Sequence, residues 1–352
     1  MSVHVYTEWG KLKEVIVGNC INFNIDNFDD IFRYLYELKK TKITKPKLYA
    51  TYVKERQEDL DNFAKILESF GVKVKRPEPL TKVKVLKTPF FTSMMNAVGS
   101  PRDMFFCIGN EIIETPPVDR NRYHESMLLY DVFLDYFKKG ARWSAAPRPR
   151  LGSKNSHFID WRKFKPSFEM SDKNNDYDIG FDAANCLKFG KDILMNIGNI
   201  NHELGYFWLK THLKDKFRIH PVTICNTHID GMMMPIRKGV LLINPLLKSK
   251  IHLLPEALQK WKMIPTVSLK KCFNYPIGHV QLASFEGMNT NVFSIDENTV
   301  CVRDQAPIVG ERLEKEGFKV ISVQIRHSEL FGGGPHCVTL DINREDSLDE
   351  CF

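Results

Sequence analysis

A short unit recurs along the chain: a stretch of helical spacing, a glycine, and a strand-like run. In residues 57–70 the apolar side chains Leu60, Phe63, Ala64 and Leu67 fall on one helical face, and Gly71 follows where a helix commonly closes in the left-handed conformation. The alternating run Val72-Lys73-Val74 comes next. The same grammar returns in residues 308–316, Gly317 and residues 318–325. Looser copies run from 202–213 into 218–222, and from 255–261 into 264–269. Further apolar strands are expected at 14–17, 104–108, 192–197, 240–243 and 300–302. Short strands alternating with helices restrict the chain to the α/β class. The copies share a pattern but few residues, so they suggest a supersecondary unit used several times without specifying how the copies are arranged.

At 352 residues the chain can bury a large core. Only residues 152–179 lack apolar periodicity, and with their Lys, Asn, Asp and Ser they read as a surface loop. No other break in composition divides the chain, so residues 1–352 are expected to form a single catalytic domain. The formal charge of +7 is spread among acidic residues, which gives no footprint for nucleic acid. No apolar run reaches the 18 or so residues that cross a membrane. Residues 1–6 lack the layout of a secretory signal. The eight cysteines (20, 107, 186, 225, 272, 301, 337 and 351) form no CxxC pair, and most sit in apolar runs. Reduced, inert thiols in the cytoplasm are the expectation.

Cys337 has different surroundings. It follows Gly332-Gly333-Gly334-Pro335-His336, and three consecutive glycines imply positive φ or a very close approach to something. A glycine turn presenting a thiol at the start of an element suits a nucleophile whose pKa backbone dipoles lower. A flexible turn before one more core cysteine fits the same pattern. His228-Ile229-Asp230 follows the strand expected at 221–224. If that strand continues, His228 and Asp230 face one side, although a lone histidine is more often structural. Asp182, between Phe181 and Ala183-Ala184, is either a site acid or a helix N-cap. Asp103, in Ser100-Pro101-Arg102-Asp103, is either a second site acid or half of a local pair with Arg102.

Together these residues have a chemistry. A guanidinium is a planar cation that carboxylates grip bidentately. Asp103 and Asp230 would clamp it, Cys337 would attack its central carbon, and His228, oriented by Asp182, would protonate the departing amine.

Several ordered segments resemble those of the arginine-dependent amidinotransferases, the family of glycine, inosamine-phosphate and toxin-pathway amidinotransferases. They are Glu8-Trp9 with residues 12–18, residues 74–79, Pro101-Arg102-Asp103, residues 109–114, residues 140–143, Phe181-Asp182-Ala183-Ala184, His228-Ile229-Asp230 and residues 332–337. They extend over almost the whole chain. The resemblance implies a single-domain, pentein-like α/β-propeller of five ββαβ-like modules with pseudo-fivefold symmetry. It also implies a triad of Cys337, His228 and Asp182, with Asp103 and Asp230 contacting the guanidinium. The reaction implied is ping-pong: arginine gives its amidino group to the cysteine, ornithine leaves, and an acceptor amine takes the group from a thiouronium intermediate. A hydrolytic deiminase and a silent arginine-binding protein are the alternatives on the same fold. No metal or organic cofactor is implied, and the only partners are small-molecule substrates. Family members are often dimers, so a homodimer is compatible with the resemblance.

The departures from the family concern substrate. Glycine-specific members carry Asn-Pro-Met before the histidine, where this chain has Cys225-Asn226-Thr227. Their donor-carboxylate arginine follows an Asn-Pro pair, where this chain has Leu247 after Asn244-Pro245-Leu246, with Lys248 the nearest cation. Arg237 is a substitute candidate for that arginine, and Thr227 and Ser284 are candidate lining residues. The expected acceptor is an amine other than glycine.

Overall fold

The computed structural model describes residues 2–24, 48–152, 164–170, 177–226, 228–267 and 287–351. Strand β1 (Lys11–Val17) is followed by α1 (Ala50–Ser69) and β2 (Lys73–Lys75), then by the small hairpin β3 (Val85–Lys87) and β4 (Thr92–Met94). The one-turn helix α2 (Pro101–Met104) leads into β5 (Phe105–Ile108) and β6 (Glu111–Glu114), then α3 (Tyr130–Lys138) and β7 (Arg142–Ala145). The order repeats with β8 (Cys186–Phe189), β9 (Asp192–Asn196), α4 (Ile200–Leu213) and β10 (Arg218–Val222). It repeats again with β11 (Met233–Arg237), β12 (Val240–Ile243), α5 (Glu256–Gln259) and β13 (Lys262–Pro265). The last set is β14 (Phe293–Asp296), β15 (Thr299–Arg303), α6 (Pro307–Lys315) and β16 (Lys319–Val323), before α7 (Ser328–Phe331) and β17 (Thr339–Glu345).

Five three-stranded sheets share one construction: a central strand antiparallel to one neighbour and parallel to the other. Four of them are ββαβ modules that are continuous in sequence. The fifth is assembled from both ends of the chain, with β17 antiparallel and β2 parallel to β1. This is the five-module α/β-propeller that the family resemblance implied.

The central strands β6, β9, β12 and β15 are buried along their whole length. Their middle residues therefore read as short apolar runs instead of alternating ones. Apolar clusters are shared between neighbouring modules: one joins β5 and β6 to β8, β9 and α4, and another joins α1 and β1 to β14 and β15. Gly71 and Gly317 close α1 and α6 with φ of +77° and +83°, as the recurring unit predicted. Residues 255–261 were expected to be helical, but only Glu256–Gln259 forms a turn, after a long 3-10 segment at Pro245–Leu253. Of the segment 152–179, only 152, 164–170 and 177–179 are described, and none lies in a helix or strand. Among the described residues, no helix is long and apolar enough to cross a membrane.

The modules meet on charge as well as on apolar side chains. Glu8, Arg102, Lys188, Asp341 and Arg344 are all buried. Lys188 Nζ lies 2.9 Å from Glu8, and Arg102 Nη2 lies 2.6 Å from Asp341. Arg344 bonds Asp341 and donates to the carbonyl of Ser294 in β14. Each charge has an opposite partner, the condition under which burial of ions is tolerated. Arg102 thus serves this cluster and makes no local pair with Asp103.

Candidate active site

Cys337 sits between α7 and β17 in a turn with two separate reasons for glycine. Gly332 takes φ +71° as the closing residue of α7. Gly333 and Gly334 are close approaches: a Cβ on Gly333 would stand 2.8 Å from Cys337 Cβ, and one on Gly334 would stand 2.8 Å from Asn291 Oδ1. The turn is held from outside by Arg56 of α1, whose Nη2 donates to the Gly333 carbonyl at 2.7 Å. An arginine on the buried face of a helix is otherwise out of place, and this bond accounts for it.

His228 and Asp230 do not extend β10. Asn196, at the end of β9, accepts from the backbone N–H groups of Ile224 and Cys225, which diverts the chain from the ladder. His228 then precedes a 3-10 turn, Ile229–Gly231, that carries Asp230. The two side chains still converge, through this turn and not through the strand alternation expected from the sequence. Asp182 occupies the N-cap position of the turn Ala183–Asn185 but makes no capping bond; it bonds His228 Nε2 at 2.8 Å. Asp103 lies on α2, where Arg122 Nη1 donates to its Oδ2 at 2.6 Å. Arg122 is in turn held bidentately by Glu125.

A carboxylate oxygen of Asp103, a ring nitrogen of His228 and the sulfur of Cys337 all lie within 4.8 Å of one another. Asp230 completes the group, with its Oδ2 at 3.2 Å from the sulfur, and it also accepts from His336 Nδ1 at 2.9 Å. Asp103 Oδ1 is buried with no hydrogen-bond partner among the described residues and lies 3.7 Å from His228 Nδ1. A buried carboxylate oxygen that accepts no hydrogen bond is costly unless a ligand completes it.

The protonation states follow from this crowding of acids. Burial raises the Cys337 thiol, and Asp230 and Asp103 push it further, to well above the usual range. This reverses the expectation that local dipoles lower it: burial and two carboxylates outweigh the glycine turn. Burial alone would lower His228, but Asp103 and Asp182 outweigh it and raise the imidazole to about 9. Burial would raise Asp230, yet His336 and His228 hold it below the ordinary range. At neutral pH the resting site therefore contains a thiol, an imidazolium and ionised Asp230. A metal at the Asp103–His228–Cys337 trio would require the reverse, a thiolate and a neutral imidazole.

Other sequence candidates lie elsewhere. Arg237, at the hairpin end of β11, stacks its guanidinium 4.4 Å from the Phe318 ring centroid. Leu247 is fully buried in an apolar cluster, and Lys248 is exposed. Thr227 and Ser284, like Cys272, lie outside the described residues. No disulfide joins the seven described cysteines, and six of them are buried. Three residues that sequence reasoning missed serve the site: Arg122, His336 and Asn291, the last donating from Nδ2 to Cys337 Sγ at 3.0 Å. His336 lay within the glycine-rich motif. Nothing in the sequence around Arg122 or Asn291 marks either one.

No protein-family model matches the chain. Among characterised proteins, an L-arginine:L-lysine amidinotransferase of Pseudomonas savastanoi pv. phaseolicola is 31% identical, with 98% of this chain and 95% of that protein aligned. An inosamine-phosphate amidinotransferase of Streptomyces griseus is 33% identical, covering 97% of each. The solved structure of SxtG, an amidinotransferase from Microseira wollei in a saxitoxin pathway, superposes with a TM-score of 0.86 at 31% identity over the full length of both chains. The chain belongs to the amidinotransferases. It is accordingly a transferase acting on small molecules. A more distant likeness to DDAH of Pseudomonas aeruginosa, at 13% identity and a TM-score of 0.58, shows the shared pentein fold alone.

Proposed function

We propose that this amidinotransferase is a single catalytic domain that moves the amidino group of arginine, or a related guanidine, through Cys337 to an amine other than glycine, releasing ornithine. The observation that carries the reading is Asp103 Oδ1, buried beside His228 and accepting no hydrogen bond among the described residues, in a site that already holds ionised Asp230. A planar cation with several N–H donors is the ligand that completes such a pair.

Binding and activation are one event in this scheme. The guanidinium offsets the two carboxylates that keep the thiol protonated, so the thiol loses its proton to solvent as the donor seats. The thiolate attacks the guanidinium carbon. The bond from that carbon to the donor's side-chain nitrogen breaks, His228 gives its proton to that nitrogen, and ornithine leaves with the amidino group on sulfur as a thiouronium cation. The acceptor amine then attacks the same carbon and loses a proton to the now neutral His228. The carbon–sulfur bond breaks, and its electron pair returns to sulfur. Asp182 holds His228 in place through both halves.

Cys225-Asn226-Thr227 before His228 speaks against glycine as acceptor, and the buried Leu247, where glycine-specific members carry an arginine for the donor's carboxylate, is why a related guanidine stands beside arginine as donor. The unbridged thiols support a reducing compartment such as the cytoplasm.

The test is incubation with arginine alone, then with glycine, lysine, ornithine and amino-cyclitols. Ornithine formed only when an amine is present, and not with glycine, is expected. Citrulline formed without an amine would make the protein a deiminase, and no product at all a binder. Cys337→Ala should abolish turnover with the fold retained; normal transfer by that variant overturns the mechanism.

A further inference from the structure

Asn291 lies between the turn Gly287–Asn289 and β14, and it is 1% exposed. Its carboxamide is used completely. Oδ1 accepts from the backbone N–H groups of His336 and Cys337, both at 3.1 Å. Nδ2 donates to Asp230 Oδ2 at 2.8 Å and to Cys337 Sγ at 3.0 Å. Two lone pairs and two hydrogens is the whole capacity of the group.

The orientation of the amide follows from chemistry. Backbone N–H groups only donate, so the end of the carboxamide facing them must be the oxygen. The amino end is thereby turned onto the sulfur. Holding the turn requires the oxygen alone, and the contact with sulfur is additional. Gly334 permits the approach, because a Cβ there would stand 2.9 Å from the Asn291 carbonyl oxygen as well as against its side chain.

We propose that Asn291 is a catalytic residue, whose amide N–H stabilises the Cys337 thiolate both when it attacks the guanidine and when it departs from the amidino group. The proposal deepens the amidino-transfer reading and rests on Cys337 as its nucleophile. Among the described residues, Asn291 is the one hydrogen-bond donor to the sulfur. The charged groups around the thiol are Asp230 and Asp103, which oppose ionisation, and the His228 imidazolium and the Arg56 guanidinium, which favour it. His336 acts one step away, on Asp230. Asn291 adds a donor that needs no charge of its own and also restrains the nearer of the two opposing carboxylates. In each half-reaction negative charge is placed on or withdrawn from sulfur, so the same N–H serves both.

The experiment reads the thiol directly. Iodoacetamide alkylates the thiolate, so its rate at a fixed pH follows the ionised fraction. Labelling of Cys337 would be followed by peptide mass spectrometry in the full chain without substrate, for the wild type, Asn291→Ala and Asn291→Asp. Loss of a hydrogen bond to an ion is expected to slow alkylation at pH 8 about tenfold, one pH unit in the thiol. Asn291→Asp keeps an acceptor for the two backbone N–H groups and adds an anion, so it should be slower still; it carries the test if the alanine variant does not fold. A structural role predicts the opposite sign. A loosened turn admits water to the sulfur and speeds alkylation. Alkylation as fast as wild type, or faster, in a folded Asn291 variant overturns the proposal. Turnover is not needed for the measurement. Slow alkylation in a protein that transfers no amidino groups would sink the proposed function and leave the role of Asn291 at the sulfur standing.

Discussion

Replacing Asp182 by asparagine removes one negative charge from the partner of His228 and keeps its shape. The wild-type contact is 2.8 Å between Nε2 and Oδ2, with only 22% and 13% of the two side chains exposed. At an effective dielectric of about 20, two unit charges whose centres stand about 4 Å apart, as in such a contact, attract by roughly 4 kcal/mol. An amide oxygen turned toward Nε2 retains part of the bond. Hydrogen bonds to charged groups contribute about 1.5–3 kcal/mol by mutation, and the net loss should fall in that range, or about one to two pH units. In the proposed mechanism His228 must be protonated to release the leaving amine, so activity is lost as pH rises through its pKa. The wild-type basic limb, set by an imidazole at about 9, should move in Asp182→Asn to about 7–8. The assay is the pH dependence of kcat for ornithine release at saturating arginine and acceptor. If kcat falls by one factor at every pH and the basic limb stays in place, Asp182 does not set the protonation of His228. The assignment of roles would then have to be redrawn.

Two further perturbations probe the turn and the buried charges. Gly334→Ala places a Cβ within 3 Å of both the side chain and the carbonyl oxygen of Asn291; overpacking of this kind costs about 1–3 kcal/mol. It should lower the melting temperature and reduce kcat more than it raises KM for arginine; unchanged turnover would show that the turn tolerates displacement. Lys188→Met leaves Glu8 and Asp341 short of a cation and should cost about 3–5 kcal/mol in a urea titration. Acid stability follows from the same cluster. Burial would raise Glu8 and Asp341, but Lys188, Arg102 and their other cationic partners hold both below the ordinary carboxylate range. Their contribution is therefore full above the unfolded value near 4 and lost as pH falls through the lower folded values. The urea midpoint should drop steadily below about pH 4, and less steeply in Lys188→Met; parallel slopes would refute the assignment.

The features legible in the sequence are those that act locally. Apolar spacing and a closing glycine gave α1–β2 and α6–β16, since a helix and the strand after it are decided within a few residues. The closing of five modules into one propeller was not readable from periodicity, because β1 finds β17 at the opposite end of the chain. It came from family resemblance. Asp103, Asp182, His228, Asp230 and Cys337 were all singled out from the sequence, and the structure brings them together. The route to His228 and Asp230 was misread as strand alternation, because the side chain of Asn196 diverts the backbone. The direction of the thiol shift was misjudged for a related reason. It depends on burial and on how near two carboxylates stand, which spacing along a chain does not give. Asn291 and Arg122 are ordinary polar residues whose importance lies entirely in their partners.

The pairing of β17 with β1 has a kinetic consequence. Four modules are contiguous in sequence, so their strands meet across tight turns and helical crossovers. The module whose last strand follows the thiol can form only when distant parts of the chain find each other. Contacts of that separation raise contact order and slow folding, while the stability lost to closing a longer loop grows only logarithmically. Cys337, the proposed nucleophile, therefore stands at the slowest seam of the molecule. Damage or substitution along that seam should be felt in the yield of active protein before it is felt in the stability of what has folded.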